Sequence, residues 1–373
     1  MTLPKTYKAL VSTVTEDGQL RMELVEKPMP ELKPDHVLIK VEASPINPSD
    51  HGVMFGYASM DKAGNDGDAL VAPVGDLGMR MMKGRLGQAL PLGNEGAGTV
   101  VAAGDSDAAQ ALVGRTVAAM GGGMYAEYRA VPILSVLPLK AGNTAREGAS
   151  SFVNPLTALC FPETMRQEGH SAIVHTAAAS NLGQMLVKIC KADGIPLVNI
   201  VRKAEQAELL RSIGAEYVVN SSDDDFMAQL IDAVHATGAT LGFDATGGGT
   251  LASSILTAME GAAARTPGAY SIYGSVHHKQ VYLYGALDPS PTTLTRGYGM
   301  AWGVGGWLLP NFLAKAGMET AVRLRTRVAN ELTTTFASHY TDEISLADAL
   351  KADVVAQYNA KKTGQKFLIN PQL

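Results

Sequence analysis

The sequence predicts an α/β chain in two parts, a compact β-rich domain and a doubly wound parallel sheet flanked by helices. Three observations carry this. An apolar strand, a turn of small residues and a helix follow one another in Ser171-Ala-Ile-Val-His-Thr-Ala-Ala-Ala-Ser-Asn-Leu-Gly183 and beyond. Strand-length and helix-length patterns then alternate from Pro196 to Gly274, which implies parallel strands with helices on both faces. Before residue 150 the pattern is one of short strands, Gly/Pro turns and little helix. At 373 residues the chain is too long for one ordinary core.

Taken in order, Lys8 to Val11, Arg21 to Val25 and His36 to Ala43 read as strands, separated by turns such as Glu16-Asp17-Gly18 and Glu31 to Asp35. Gly98 to Ala103, Thr116 to Met120 and Ala126 to Val131 read as further strands of a barrel-like domain. Between Tyr57 and Pro91 the chain is glycine-rich and weakly periodic, and its length suggests an ordered functional loop or a mobile lid. Its Arg80, Lys83 and Arg85 are either a solvated face or a greeting for an anionic substrate. Val153 to Met165 reads as a helix at the junction between domains.

In the second part, Ala172 to Val174 is a strand, and Leu182, Met185, Leu186, Ile189 and Cys190 have the spacing of a buried helical stripe. Between them, small residues let backbone N–H groups approach a pyrophosphate whose charge suits the helix N-terminus. Of the usual glycines only Gly183 is present, with Ser180 and Asn181 where glycines are common. Pro196 to Val201, Glu216 to Val219, Ala239 to Ala245 and Ala269 to Tyr273 read as strands, the third running into Gly247-Gly248-Gly249 and the fourth ending at Gly274. Ala204 to Ile213, Asp224 to Ala236 and Leu251 to Ala263 read as the intervening helices. This is the pattern of a Rossmann domain, in which a dinucleotide lies across the carboxyl ends of the strands.

Val281 to Ala286 reads as the last strand, and Tyr298 to Phe312 as a segment rich in aromatics and glycines. Ala314 to Asn330 and Leu346 to Asn359 have helical patterns, and Gln365 to Ile369 a closing strand that returns to the β domain. The expected domains are therefore residues 1–150, completed by about 319–373, and residues 151–318.

Composition bounds the function. Apolar residues make up 46% and charged residues 18%, as in a soluble globular protein. The net charge of −5 and the lack of any basic run argue against nucleic acid. Met1 to Leu10 has no apolar signal core, and Gly297 to Leu313 is too broken by glycines and Pro310 to span a bilayer. The two cysteines, Cys160 and Cys190, offer no disulfide framework, so an intracellular, cytoplasmic protein is expected.

Several motifs then carry a resemblance. They are Pro45-Ile-Asn-Pro-Ser-Asp50, Gly93-Asn-Glu-Gly96, Val153-Asn-Pro155 with Thr157-Ala158, Ala178-Ala-Ser-Asn-Leu-Gly183, Asn199-Ile-Val-Arg202, Gly214-Ala-Glu216, Tyr273-Gly274 and Thr363-Gly364. In this order they resemble the medium-chain dehydrogenase/reductase superfamily, within it the zinc-free quinone reductases and most closely the mitochondrial-type trans-2-enoyl thioester reductases. The resemblance implies a GroES-like β-barrel catalytic domain beside the Rossmann domain. It implies a catalytic role for Tyr57 and Asn47. It implies cofactor contacts from Asn47, Thr157, Ser180, Asn181, Leu182, Gly183, Arg202, Lys203, Tyr273, Gly274 and Lys366, and a homodimer paired through sheet edges near Val281 to Ala286. The insertion from Tyr57 to Pro91 departs from the family pattern.

Residue chemistry bears on the same points. Catalytic zinc needs three protein ligands, usually Cys, His or Glu. The zinc-holding relatives place Cys and His where this chain has Asn47 and Asn94, and Glu95 alone remains. No metal site is therefore expected. Without a Lewis acid, hydride addition to an enone, enoyl thioester or quinone is better suited than simple alcohol oxidation, because hydrogen-bond donors can hold the charge delocalised onto oxygen. The strand before Arg202 and Lys203 ends in a cation rather than an acid, which fits the 2′-phosphate of NADPH. After hydride transfer an enolate-like oxygen needs a donor, and the Tyr57 phenol can supply a hydrogen bond or a proton, with His51 as the weaker candidate. The expected function is an NADPH-dependent, zinc-independent reductase of a small-molecule quinone or α,β-unsaturated carbonyl. The alternatives are a zinc-free alcohol or aldehyde dehydrogenase and a non-catalytic NADPH-binding redox sensor.

Overall fold

A computed structural model describes residues 3–265 and 271–373. The chain divides into two compact units, residues 1–153 with 325–373, and residues 154–324.

The first unit is built from two antiparallel-rich sheets. One has the spatial order Gly64–Asp66, Ala69–Pro73, Gln19–Pro28, Thr6–Val14, Leu90–Pro91. The other runs Val136–Pro138, Thr116–Met120, Glu95–Ala103, His36–Pro45, Phe367–Ile369, Asp342–Ile344, and Tyr128–Pro132 also pairs with His36–Pro45. Alternating apolar residues of these strands build two cores. Leu10, Leu20, Met22, Leu70, Tyr125 and Ile369 meet in one, and Val37, Ile39, Val41, Val117 and Ala119 in the other. The C-terminal strand Phe367–Ile369 pairs antiparallel with His36–Pro45, so the return of the chain to this unit is a matter of backbone hydrogen bonds.

The stretch from Tyr57 to Pro91 is part of this architecture rather than a lid. Ala69–Pro73 pairs with Gln19–Pro28, Gly64–Asp66 completes the edge, and Leu70, Val74 and Met82 are buried in the core. Arg85 does not await an anion. Its guanidinium donates to the Val53 carbonyl at 2.9 Å and to the Ser12 carbonyl and hydroxyl at 3.2 and 3.0 Å, while Arg80 and Lys83 are exposed. The expected helix from Leu346 is shortened to Ala352–Asn359, preceded by a tight turn at Asp348–Leu350.

The second unit is a six-stranded parallel sheet in the order Tyr217–Asn220, Leu197–Val201, Ile173–His175, Leu241–Asp244, Lys279–Leu283, Trp302–Gly306. The reversal of order after Ile173–His175 is the topological switch of a doubly wound sheet. Val174, Val198, Ile200 and Val281 pack against Leu230, Val234, Ile255, Leu256 and Met259 from the helices Phe226–Thr237 and Leu251–Ala263.

One strand was expected in the wrong place. Of Ala269 to Tyr273, residues 269 and 270 lie outside the described residues, and Ser271 to Tyr273 form a turn. The place beside Leu241–Asp244 belongs to Lys279–Leu283, so the segment expected as the last, edge-forming strand is interior. The edge is Trp302-Gly-Val-Gly-Gly306. Its glycines give it little intrinsic strand preference, and pairing with its neighbour holds it extended.

Candidate functional site

In the second unit, the helix Asn181–Asp193 begins where the turn after Ile173–His175 ends. Ser180 is its N-cap, and its hydroxyl accepts from the Gly183 N–H at 3.1 Å. Leu182 turns its side chain into the core, so only its backbone is available to a ligand. Gly183 is required by closeness: a Cβ there would meet the Ala178 carbonyl oxygen at 2.1 Å. Helix and turn thus approach each other as a dinucleotide turn demands, with two serine/asparagine positions replacing glycines. Thr157 is buried on the helix Val153–Gln167.

Arg202 and Lys203 follow the carboxyl end of Leu197–Val201 and are exposed. The Arg202 N–H donates to the Gln206 side chain and its carbonyl accepts from Ser222, which fixes the backbone of this loop. Lys203 sits 3.6 Å from Glu205 in a solvated pair.

Tyr273 and Gly274 are not at the carboxyl end of a strand. They precede Lys279–Leu283, on the amino side of a parallel strand, and Ser275 beside them is bound to Glu260 at the C-terminal end of its helix. The Tyr-Gly pair in the place expected of them is Tyr284-Gly285, directly after that strand. The Tyr284 N–H donates to the Asp244 carbonyl, and a Cβ on Gly285 would meet the Ala245 oxygen at 2.5 Å. Sequence reading misplaced this pair because the same dipeptide recurs, at Tyr273-Gly274 and at Tyr284-Gly285. Asp244, fully buried, accepts from the Thr176 hydroxyl and from the N–H groups of Thr246 and Gly247, so it shapes the neighbouring loop.

His175 closes its strand, fully buried, with Nε2 2.7 Å from the Tyr284 hydroxyl. Burial pushes its pKa down to about 3 and raises that of Tyr284, so both are neutral at pH 7. Tyr284 also lines a cavity of about 700 Å³ with Tyr282, Trp307, Phe312, Glu168 and Lys315.

The first unit holds the other group. Asn47-Pro-Ser-Asp50 is a turn in which the Asp50 carboxylate accepts from the Asn47 N–H at 2.7 Å and the Asn94 N–H at 2.8 Å. Asp50 is buried, and desolvation raises its pKa to about 7 despite those bonds. Glu95 is also fully buried. Its Oε1 accepts from Asn47 Nδ2 at 2.8 Å, and its Oε2 from the N–H groups of Phe152 and Val153 at 2.7 and 2.9 Å. Desolvation is the main influence on Glu95 and raises its pKa; the Lys366 charge and these hydrogen bonds oppose it. The Lys366 Nζ is itself buried, without a hydrogen-bond partner among the described residues, and lies 5.6 Å from the centre of the Tyr340 ring. Desolvation lowers its pKa to about 8, against the pull of Glu95 and Asp50.

Tyr57 follows the short helix His51–Met54 and Gly56, and the residue is 55% exposed. His51 is buried beside Phe55 and Tyr358, and desolvation lowers its pKa to about 3. It is therefore neutral at pH 7 and a poor general acid. Sequence reasoning overlooked Asp50 and the full set of Glu95 partners. The Asn-x-x-Asp spacing is a readable turn signal for the first, whereas the second joins residues far apart in the chain.

Comparison with known proteins follows the same two units. The profile of the family described as "Alcohol dehydrogenase GroES-like domain" matches residues 33–141, and that described as "Zinc-binding dehydrogenase" matches residues 182–295. A solved structure from Mesorhizobium loti, assigned by name to the NADPH:quinone reductases, superposes with a TM-score of 0.74 at 27% identity, covering 100% of both chains. The chain belongs to the medium-chain dehydrogenase/reductase superfamily. Within this superfamily it is 34% identical over 131 residues to prostaglandin reductase-3 of Mus musculus, covering 35% of this chain and 34% of that one. It is 27% identical over 231 residues to the mitochondrial enoyl-[acyl-carrier-protein] reductase of Homo sapiens, covering 59% and 54%. These matches span about a third to about half of the curated relatives' lengths. The superfamily fold, a GroES-like unit with a Rossmann unit, is the one described above. Among the described residues no helix is long and apolar enough to cross a membrane.

Proposed function

We propose that this chain is an NADPH-dependent, zinc-independent reductase that delivers hydride to a quinone or to an α,β-unsaturated carbonyl, an enone or enoyl thioester. The observation that carries the reading is the commitment of Glu95. It is the one potential ligand left at the position where zinc-dependent relatives bind metal, and both of its oxygens already accept N–H groups. Asn47 and Asn94, the neighbouring side chains, are neutral amides and weak partners for zinc. Among the described residues no group of three His, Cys, Asp or Glu side chains could hold a metal ion.

The residues suit the cofactor. The close approach at Gly183 and the capped start of Asn181–Asp193 form a cradle for pyrophosphate. Arg202 and Lys203 supply cations for the 2′-phosphate. Asn47 and Lys366 are carried over from the resemblance as cofactor contacts, one an amide and the other an amine. When bound, NADPH supplies the hydride. The Tyr57 phenol donates to the substrate oxygen as charge develops there, and its exposure leaves it accessible to substrate. A homodimer of the kind the resemblance implies would pair through the edge strand Trp302–Gly306 and not near Val281 to Ala286, because Lys279–Leu283 is an interior strand. Absorbance of the reduced nicotinamide, followed with enones, enoyl thioesters and quinones in turn, tests the reading. Turnover of at least one class is expected; tight NADPH binding with no turnover of any class would overturn it.

A further inference from the structure

The parallel ladder between Leu197–Val201 and Tyr217–Asn220 runs out where the cations begin. Val201 is the last residue in register, opposite Asn220, and its carbonyl still accepts from the Ser221 N–H at 2.8 Å. One residue later the backbone no longer serves. The Ser222 N–H turns back to the Asn220 side-chain oxygen at 3.2 Å, and the Arg202 carbonyl takes the Ser222 hydroxyl instead, at 2.9 Å. On the other side of the same residue, the Arg202 N–H donates to the Gln206 side-chain oxygen at 3.0 Å, in the first turn of the helix Ala204–Ser212. Two side chains from separate elements thus hold both backbone polar groups of an arginine that is itself exposed. Water could satisfy both groups at such a position, so these bonds are not needed to rescue a buried donor or acceptor. What they do is fix the backbone from which the guanidinium is presented.

We propose that Ser222 is a positioning residue for recognition of the cofactor's 2′-phosphate, acting through Arg202. The inference rests on the reading of Arg202 above and involves only residues of the 154–324 unit. A guanidinium meets a phosphate through a planar fork of charge-assisted hydrogen bonds, so its direction of approach matters. A loop fixed beforehand loses less freedom when the phosphate arrives. NADH carries a hydroxyl in place of that phosphate, which leaves the guanidinium nothing to grip. The Ser222 hydroxyl therefore acts on the preference between the two cofactors.

The test is a double-mutant cycle on the full chain between Ser222→Ala and Arg202→Ala. It is read as the dissociation constants of NADPH and NADH from cofactor fluorescence, with melting temperature as a control for folding. Ser222→Ala should weaken NADPH by about three- to tenfold, the worth of one hydrogen bond, and change NADH by less than about twofold. In the Arg202→Ala background the same substitution should change NADPH by less than about twofold, because the residue through which it acts is gone. Ser222→Thr keeps a hydroxyl and should hold wild-type preference. Equal losses of NADPH and NADH in Ser222→Ala, no loss of either, or an undiminished loss in the Arg202→Ala background would each overturn the positioning role while leaving the reading of Arg202 intact. An Arg202→Ala variant that loses both cofactors equally would overturn that reading itself, and the role of Ser222 with it.

Discussion

Gly183→Ala is the sharpest probe of the proposed phosphate-binding turn. The added methyl would meet three backbone atoms of Ala178: O at 2.1 Å, C at 2.6 Å and Cα at 2.8 Å. Carbon contacts are comfortable at about 3.5–4.0 Å, so helix and turn must part by about 1 Å or more. Backbone cannot rotate aside as a side chain can, which places the cost toward the upper part of the roughly 1–3 kcal/mol typical of overpacking. Alanine recovers up to about 1 kcal/mol through helix propensity. The net loss is about 1–2 kcal/mol, or a melting temperature lower by roughly 3–6 °C for a domain of this size. NADPH affinity should fall by tenfold or more, since charge-assisted hydrogen bonds of about 1.5–3 kcal/mol each depend on the displaced N–H groups. Gly261→Ala is the control. It lies in the helix Leu251–Ala263, and its nearest obstacle is the end of the Ile231 side chain at 3.1 Å, which can turn away. That variant should be as stable as the wild type or slightly more so. Calorimetry and fluorescence titration of both variants suffice. A Gly183→Ala protein with unchanged melting temperature and unchanged NADPH affinity would refute the close-approach argument.

Arg202→Ala should weaken NADPH by about 1.5–3 kcal/mol while leaving NADH nearly unaffected; equal losses would show that Arg202 does not read the 2′-phosphate. Purified protein should contain no stoichiometric zinc and keep its activity in chelator, and one zinc per chain by elemental analysis with activity lost on chelation would contradict the reading of Glu95. Tyr57→Phe should fold and bind NADPH normally but lower kcat with the best enone or enoyl thioester by about 10²–10⁴-fold, with a smaller effect on quinones, whose oxygens water can protonate; a wild-type rate would reduce Tyr57 to a surface residue. Lys366→Met should stabilise the cofactor-free protein at pH 7, because the folded state depresses the Lys366 pKa from 10.5 to about 8. That depression corresponds to at most about 3 kcal/mol; the penalty is complete below pH 8 and fades as pH rises toward 10.5, so the gain in melting temperature should shrink in the same direction. A variant less stable than the wild type at pH 7 would count against it.

Where local pattern and burial agree, the sequence alone determined the structure. The stripe Leu182, Met185, Leu186, Ile189 and Cys190 is buried on one helix, and the strands at Leu197, Tyr217 and Leu241 start within two residues of their expected positions. Helical and strand periodicities are properties of consecutive residues, so they survive without tertiary information. That Asn47 and Asn94 stand where the resembling zinc-holding dehydrogenases carry Cys and His was likewise legible, because it depends on side-chain identity alone. Tertiary structure decided what depends on distant partners. Trp302–Gly306 has weak strand preference of its own and becomes a strand only by pairing with Lys279–Leu283, which moved the sheet edge and exchanged Tyr273-Gly274 for Tyr284-Gly285 at the carboxyl end. The glycine-rich stretch after Tyr57 is ordered because Ala69–Pro73 finds an open edge on Gln19–Pro28. The chemistry around Glu95 brings together residues 47, 95, 152, 153 and 366, whose separation along the chain leaves no local trace. Such a cluster exists only once the sheets have closed and taken water away from it, since burial is what turns ordinary side chains into groups whose charge and orientation must be matched.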